Sequence, residues 1–310
     1  MSDDGRAAAA AKMRADGQHE EAVAAFLSAY DRLVGGDRAL MPSDSLEPAG
    51  DVTALGDLPA VPEQRVGEVL ATVAQIKLNG GLATSMGLQE PKSLIQARDG
   101  RSFLDIIVGQ TLALRRRHGV ALPLVLMDSE STRDATLKAL GAGGDVAVDG
   151  LDPDFMQSMI PKLDEDTLAP VSWPRRPALE WCPPGHGDVY GALRRSGMLA
   201  ALRERGIRYA MISNSDNLGA QLDLRVPAHM AARELPFLME VVRGTEADRK
   251  GGHVARRRPD GRLSLRESAQ TPPEDADSFR DFRRWRYSNT NNLWVDLDAL
   301  ARTLDRSGGV

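Results

Sequence analysis

The chain has 310 residues, of which 42% are hydrophobic and 27% charged, the balance of a globular protein with a sizeable buried core. A net charge of −5 argues against a general nucleic-acid binder, which needs a basic surplus to neutralise phosphates along a polymer. It leaves room for a small anionic ligand, which needs only one or two well-placed cations and backbone N–H groups.

The opening MSDDGRAAAAAKMRADG has two aspartates near its start and is short of large apolar residues, so it does not read as a signal peptide. No apolar run approaches the roughly 18–20 residues of a membrane helix. The single cysteine, Cys182, excludes an internal disulfide and suits a reducing compartment, so a cytoplasmic location is expected. Residues 6–34 read as one helix, with Val23, Phe26, Leu27 and Tyr30 at spacings of three and four, stopped by Gly35-Gly36. Residues 1–40 therefore form a helical segment. Residues 41–65, rich in Pro, Asp and Gly, read as an extended connector.

From about residue 66 the pattern becomes strand–loop–helix. TVAQIKL is a short apolar strand leading into the glycine-rich NGGLATSMG, and FLDIIVGQTLALRRRHG carries a helical stripe. ALPLVLMDS is a buried strand, followed by the helix STRDATLKALGAGG with a Ser/Thr cap. RYAMISNSDNLGA, PFLMEVV and NNLWVDL are further strands. Apolar strands alternating with helices predict an α/β sandwich with a mostly parallel central sheet over residues 66–310. Such sheets bind ligands beyond the carboxyl ends of their strands, where polar motifs of this chain recur.

The strongest motif is KLNGGLATSMGLQEPKSLI, residues 77–95. At Asn79-Gly80-Gly81 the missing side chains let backbone N–H groups approach a base or phosphate. No Gly-Lys-Ser/Thr follows, so this is not a P-loop, and Gly80, Gly81 and Gly87 do not make the dinucleotide fingerprint. The glycines alone are compatible with a tight turn. Thr84, Ser85 and Pro91-Lys92-Ser93 favour a ligand loop, because Lys92 adds a mobile cation just past the amides. Only six of the 39 basic residues are lysine, so a lysine here is not a generic choice of charge.

In WCPPGHGDVYGAL (181–193) two prolines stiffen the approach, and His186 is pushed outward between Gly185 and Gly187. Asp188 reads as the cap of the helix that follows. Cys182 has no adjacent base and reads as packing. SNSDNLGA (213–220) follows the strand YAMI. A carboxylate there, Asp216, suits Mg²⁺, which keeps most of its waters and takes one or two carboxylates plus substrate phosphates. A self-capping Asn/Asp turn is the structural alternative. Taken alone, ADRKGGHV (247–254) reads as a hairpin turn and SLRESAQ (264–270) as a solvated strand face.

In this order the motifs resemble those of the UTP–glucose-1-phosphate uridylyltransferase family, also called UDP-glucose pyrophosphorylases. NGG-L-x-TSMG with PKS, PPGHGD, SNxDNLGA, KGG, the E-x-A-Q type strand and NTNNLW all match. The likeness extends from the N-terminal helix through MPSDSLEPAGDV to the last residue. It implies a Rossmann-like, GT-A-like three-layer nucleotidyltransferase fold, and Mg²⁺-dependent uridylyl transfer from UTP to glucose 1-phosphate, giving UDP-glucose and pyrophosphate.

The resemblance also implies roles for individual residues. Asn79, Gly80 and Gly81 hold uracil and ribose, Gln157 reads the uracil edge, and Gly187 lies against the base. Lys92 contacts the nucleotide phosphates and is the expected catalytic residue, and Asp216 is the metal ligand. His186, Asn214, Gly252, Glu267, Asn289 and Asn291 face the sugar phosphate. Two positions depart from the family pattern: Ala83 stands where a third glycine is usual, and Ser288 where phenylalanine is usual. An L-residue forced to positive φ at position 83 costs about 1 kcal/mol. Residues 1–310 also lack the family's second lysine, in an N-(P/A)-K segment, and its carboxy-terminal β-helix domain, so a truncated form is expected. The alternatives are a transferase acting on N-acetylhexosamine 1-phosphate, and a nucleotide-binding module without turnover.

Overall fold

The computed structural model describes residues 2–50, 52–83, 87, 90–142 and 146–308. Thr84 and Ser85 of the glycine-rich loop lie outside the described residues. A nine-stranded sheet forms the middle layer. At its centre Val73–Leu78 runs parallel to Leu124–Asp128 on one side and Tyr209–Asn214 on the other, and Asp154–Met156 continues the parallel set beyond Leu124–Asp128. The chain thus builds outward from its first core strand, then crosses back to that strand's other side. The crevice between Leu78 and Asn214 is the switch point at which open α/β sheets bind ligands.

Beyond Tyr209–Asn214 the pairing turns antiparallel, so the sheet is mixed. Tyr287–Asp296 pairs with Tyr209–Asn214 and with Phe237–Arg243. His253–Arg257 then pairs with Leu46–Pro48 and Leu263–Arg266. The segment read as a connector therefore contributes a strand, Leu46–Pro48, to the sheet edge.

Every residue of Val73–Leu78 is buried, because helices cover both faces of the sheet. Ala74, Ile76 and Leu78 pack with Val125, Met127, Ala210 and Ile212 beneath the helices Val189–Arg195, Met198–Glu204 and Leu297–Ser307. Alternate residues face the other way. There Val73, Tyr209 and Met211 meet Leu70 and Met230, while Leu124 and Leu126 meet Leu104, Ile107 and Val108 of the helix Phe103–His118. That helix opens with a reciprocal Ser102–Asp105 capping box and ends at Gly119 in the left-handed conformation.

The single N-terminal helix expected from periodicity is in fact two, Ser2–Ala15 and Glu20–Val34. Gly17 takes φ +80°, and its N–H and that of Gln18 return to Arg14 and Met13, which closes the first helix. His19 then caps the second by accepting from the Glu21 N–H. Among the described residues no helix is long and apolar enough to cross a membrane.

Candidate active site

A cleft of about 220 Å³ opens at the switch point, lined by Gly80, Gly81, Lys92, Gln157, His186 and Asp216 among others. A larger cavity of about 670 Å³ lies at the opposite, amino ends of the strands, between Pro59–Pro62 and the helix Arg225–Arg233, and none of the sequence motifs reaches it. The chemistry is concentrated in the smaller one.

The glycine loop is anchored from below. The Asn79 N–H donates to the Met127 carbonyl, continuing the parallel ladder for one residue. The Asn79 side chain does not enter the cleft. It is buried, donating to Asp128 Oδ1 at 2.6 Å and Thr136 Oγ1 at 3.0 Å. Ser129 Oγ donates to the Gly80 carbonyl at 3.0 Å. Burial pushes the Asp128 carboxyl up to about 6 against the opposing pull of the Asn79 and Thr132 hydrogen bonds. Asn79 therefore shapes the loop from beneath, through a polar network under the backbone that faces the cleft.

Gly80 has no side chain because Gln157 occupies the space. A Cβ at position 80 would fall 2.5–2.7 Å from the Gln157 amide group. Gln157 is itself buried, and its Nε2 has no partner among the described residues, leaving a free donor at the cleft wall. Lys92 N donates to the Gly81 carbonyl, which folds the lysine back over the loop. Ala83 is fully buried and is absent from the described non-glycine residues with positive φ, so its methyl group imposes no backbone strain.

On the opposite wall, Ser215 N donates to the Leu78 carbonyl, and Asp216 projects from the turn that follows. Lys92 Nζ lies 3.4 Å from Asp216 Oδ2. The cation and the carboxylate that the motifs single out thus meet across the crevice. No group of three or more His, Cys, Asp or Glu side chains is placed to hold a metal among the described residues. A lone carboxylate of this kind fits a Mg²⁺ ion that completes its shell with waters and substrate phosphates.

Gly185, at φ 106°, turns the chain so that Pro183, Gly185 and His186 border the cleft. Gly187 sits in the same exposed turn, outside the lining. Asp188 occupies the position before the helix Val189–Arg195, but the expected cap is not formed. Its backbone is already helical there, and its carboxylate accepts instead from Ser158 N and Arg195. This links the PPGHGD turn to the Gln157 segment. Cys182 lies in the short strand Trp181–Cys182, half-buried.

The remaining predicted residues form a second cluster that adjoins the cleft through one bond. Asn291 Nδ2 donates to Asn214 Oδ1 at 2.9 Å, and Asn291 N donates to Asn289 Oδ1 at 2.8 Å. Asn289 N donates to the Gly252 carbonyl. The Glu267 carboxylate packs where a side chain at Gly252 would stand, and the Glu267 N–H donates to Gln270 Oε1 across the turn Ser268–Gln270. Ser288 is buried in register opposite His253 and Val242.

Sequence reading missed the supporting residues Lys77, Asp128, Ser129 and Thr136, because it took the strands that carry or lead into the first three as apolar and gave the polar face of the helix bearing Thr136 no role. A signal was present. Gln75, Lys77 and Asn79 alternate with Ala74, Ile76 and Leu78, and polar residues at period two in a doubly covered strand require buried partners.

The family model of UTP–glucose-1-phosphate uridylyltransferase matches residues 23–309. A probable UTP–glucose-1-phosphate uridylyltransferase of Schizosaccharomyces pombe is 42% identical over 239 residues, covering 77% of this chain and 46% of that protein. The Hordeum vulgare UTP–glucose-1-phosphate uridylyltransferase is 35% identical over 307 residues, covering 97% of this chain and 64% of that one. Among solved structures, UDP-glucose phosphorylase from Trypanosoma brucei aligns with a TM-score of 0.93 and 40% identity, covering 99% of this chain and 65% of that one. A UDP-glucose pyrophosphorylase variant from Leishmania major, in complex with UDP-glucose, aligns at 0.92 and 39% identity, covering 99% of this chain and 66% of that one. The chain thus spans between about half and two thirds of the length of these relatives. With its motifs gathered at the switch point of the same fold, the chain belongs to the UTP–glucose-1-phosphate uridylyltransferase family.

Proposed function

We propose that the chain transfers the uridylyl group of UTP to glucose 1-phosphate, forming UDP-glucose and pyrophosphate, with Mg²⁺ held by Asp216. The observation that carries this reading is the meeting of Lys92 and Asp216 across a crevice whose floor is a side-chain-free glycine loop. A phosphate oxygen of the sugar phosphate attacks the α-phosphorus of UTP, and the bond from that phosphorus to the bridging oxygen of the leaving pyrophosphate breaks. The nucleophile is already an anion, so no general base is needed. Catalysis then rests on holding the reactants in line and neutralising charge at phosphate.

Lys92 supplies a mobile cation for the polyphosphate, and a bound Mg²⁺ supplies further charge neutralisation. Gln157, whose Nε2 is unspent, suits an acceptor on the edge of uracil, with Gly80 leaving the base free to approach. The Asn214–Asn291 bond sets two amide groups next to the Asp216 side of the cleft, which suits them to sugar hydroxyls.

The test is pyrophosphate release from UTP and glucose 1-phosphate with Mg²⁺, against other nucleoside triphosphates and N-acetylglucosamine 1-phosphate. Release that requires both UTP and glucose 1-phosphate supports the reading. Preference for the N-acetylated sugar would reassign the acceptor. Tight uridine-nucleotide binding with no release would make the chain a binding module.

A further inference from the structure

Within the doubly covered strand Val73–Leu78 one residue is charged. Lys77 is 2% exposed, and among the described residues its one hydrogen bond runs from Nζ to Ser213 Oγ at 2.7 Å. Burial alone pulls the ammonium down to about 8, with no carboxylate near enough to offset it. A buried ion with so little compensation is a poor stability device, and an apolar residue of similar volume packs there at less cost. Its place in the fold points elsewhere. Lys77 and Ser213 face each other in register at the carboxyl ends of the two strands that border the switch point. Two residues beyond Lys77 the glycine loop begins, and three beyond Ser213 stands Asp216.

We propose that Lys77 is a positioning residue for the transfer reaction, its buried Nζ fixing, through Ser213, the end of strand Tyr209–Asn214 and so the place of Asp216 opposite the glycine loop. The inference rests on the uridylyl-transfer reading of this cleft. Beyond the backbone ladder that pairs Lys77 with Ser213 and Leu78 with Asn214, two further bonds cross at this level: Lys77 Nζ to Ser213 Oγ, and Ser215 N to the Leu78 carbonyl, which at 3.2 Å is the longer. Without the first, the turn that follows Asn214 is tied to the strand Val73–Leu78 by that one long backbone bond, its other holds being the Asn291 and Asn292 contacts to Asn214 and Asn217 and the exposed Lys92–Asp216 pair. Ser93, whose buried hydroxyl has no partner among the described residues, sits beside Lys92 in the turn packed on the helix Phe103–His118. The Asp216 side of the crevice is therefore the more lightly pinned, because the glycine loop opposite is anchored from beneath by Asn79 and Ser129. A displacement of about 1 Å at such a site costs on the order of a hundredfold in rate.

The experiment compares wild type, Lys77→Met, Ser213→Ala and the double variant by thermal melting, kcat/KM for UTP, and the Mg²⁺ concentration giving half-maximal rate. Lys77→Met is expected to melt at or above the wild-type temperature while losing about tenfold or more in kcat/KM, with the Mg²⁺ midpoint shifted upward. Ser213→Ala should shift that midpoint in the same direction, and the double variant should be no worse than Lys77→Met, since both remove one link. A stably folded Lys77→Met with kcat/KM within about twofold of wild type overturns the proposal; so do losses that multiply in the double variant. If Lys77→Met does not fold, an unshifted midpoint in Ser213→Ala overturns it. Should the wild-type chain release no pyrophosphate, the transfer reading fails on its own. Mn²⁺–UTP binding then decides this proposal: about tenfold weaker binding in Lys77→Met supports it, and equal binding overturns it.

Discussion

Asn291 reaches from the antiparallel half of the sheet to Asn214 at the end of a parallel strand, donating Nδ2–H to Oδ1 at 2.9 Å. It does so with φ at 55°, a left-handed conformation that asparagine tolerates better than most residues. Backbone and side chain make separable demands here. Asn291→Ala should lose the bond and add about 1–2 kcal/mol of backbone strain, whereas Asn291→Gly should lose the bond alone. Both variants are expected to raise KM for glucose 1-phosphate several-fold, and only the alanine variant should lower the melting temperature by several degrees. A glycine variant with wild-type KM would show that the amide is there for the fold.

Gly80 and Gly81 are adjacent, yet they predict different outcomes. A methyl group at position 80 would meet the Gln157 amide at 2.5–2.7 Å, so the buried Gln157 side chain has to swing from its place on the cleft wall to admit it. At position 81 the nearest atom is Lys92 Cδ at 4.0 Å, an ordinary contact. Gly80→Ala is therefore expected to weaken UTP binding by about tenfold or more, and Gly81→Ala by about threefold or less. Calorimetric titration with UTP checks the contrast. Equal losses would mean that the loop responds to any side chain and that Gln157 is not the cause.

Much of the site was legible because glycine, proline and asparagine act locally. Gly185 turns the chain, Pro183 stiffens it, and the Asp216 turn follows a strand whose apolar run ends at Ile212. Partner choice was not legible. Asp188 has the composition of a helix cap, but Arg195 lies two helical turns further on and the Ser158 N–H approaches from another segment. Those two donors outcompete the cap. Asn79 likewise looks like a loop residue until Asp128 and Thr136, some 50 residues away, are folded beneath it. The antiparallel half of the sheet was equally hidden. Alternation shows that a strand has two covered faces, but not the direction in which its neighbour runs.

The Lys92–Asp216 pair sets a further expectation. Both side chains are about one-third exposed, so their attraction at 3.4 Å is worth little to stability, and removing either should hardly change the melting temperature. Function should respond strongly. Lys92→Ala is expected to reduce kcat by about a hundredfold or more, because a cation at the phosphates is lost. Asp216→Asn should instead move the Mg²⁺ dependence to higher concentration. The measurement is initial rate against Mg²⁺ at saturating UTP. An unaltered metal curve in Asp216→Asn would place the metal ligand elsewhere.

His253 provides a prediction about acid. Its ring lies between Trp285, stacked at 4.7 Å and 9°, and Phe279 at 4.9 Å, and its buried Nε2 has no partner among the described residues. Burial first, then the charges of Arg266 and Arg284, pull its pKa from 6.5 down to about 3. The folded state thus holds the neutral ring over a range in which the unfolded chain takes up a proton. A depressed folded pKa means that this contribution to stability is intact above pH 6.5 and is lost progressively as pH falls toward 3. At pH 4.5 the difference amounts to about two pKa units, or about 3 kcal/mol in favour of unfolding. His253→Phe keeps an aromatic ring between Trp285 and Phe279 and removes the titrating group. Its urea midpoint should fall less than that of wild type between pH 7 and 4.5, with carboxylates contributing alike to both proteins. Parallel losses in the two proteins would show that the ring is already protonated in the fold, or that water reaches it.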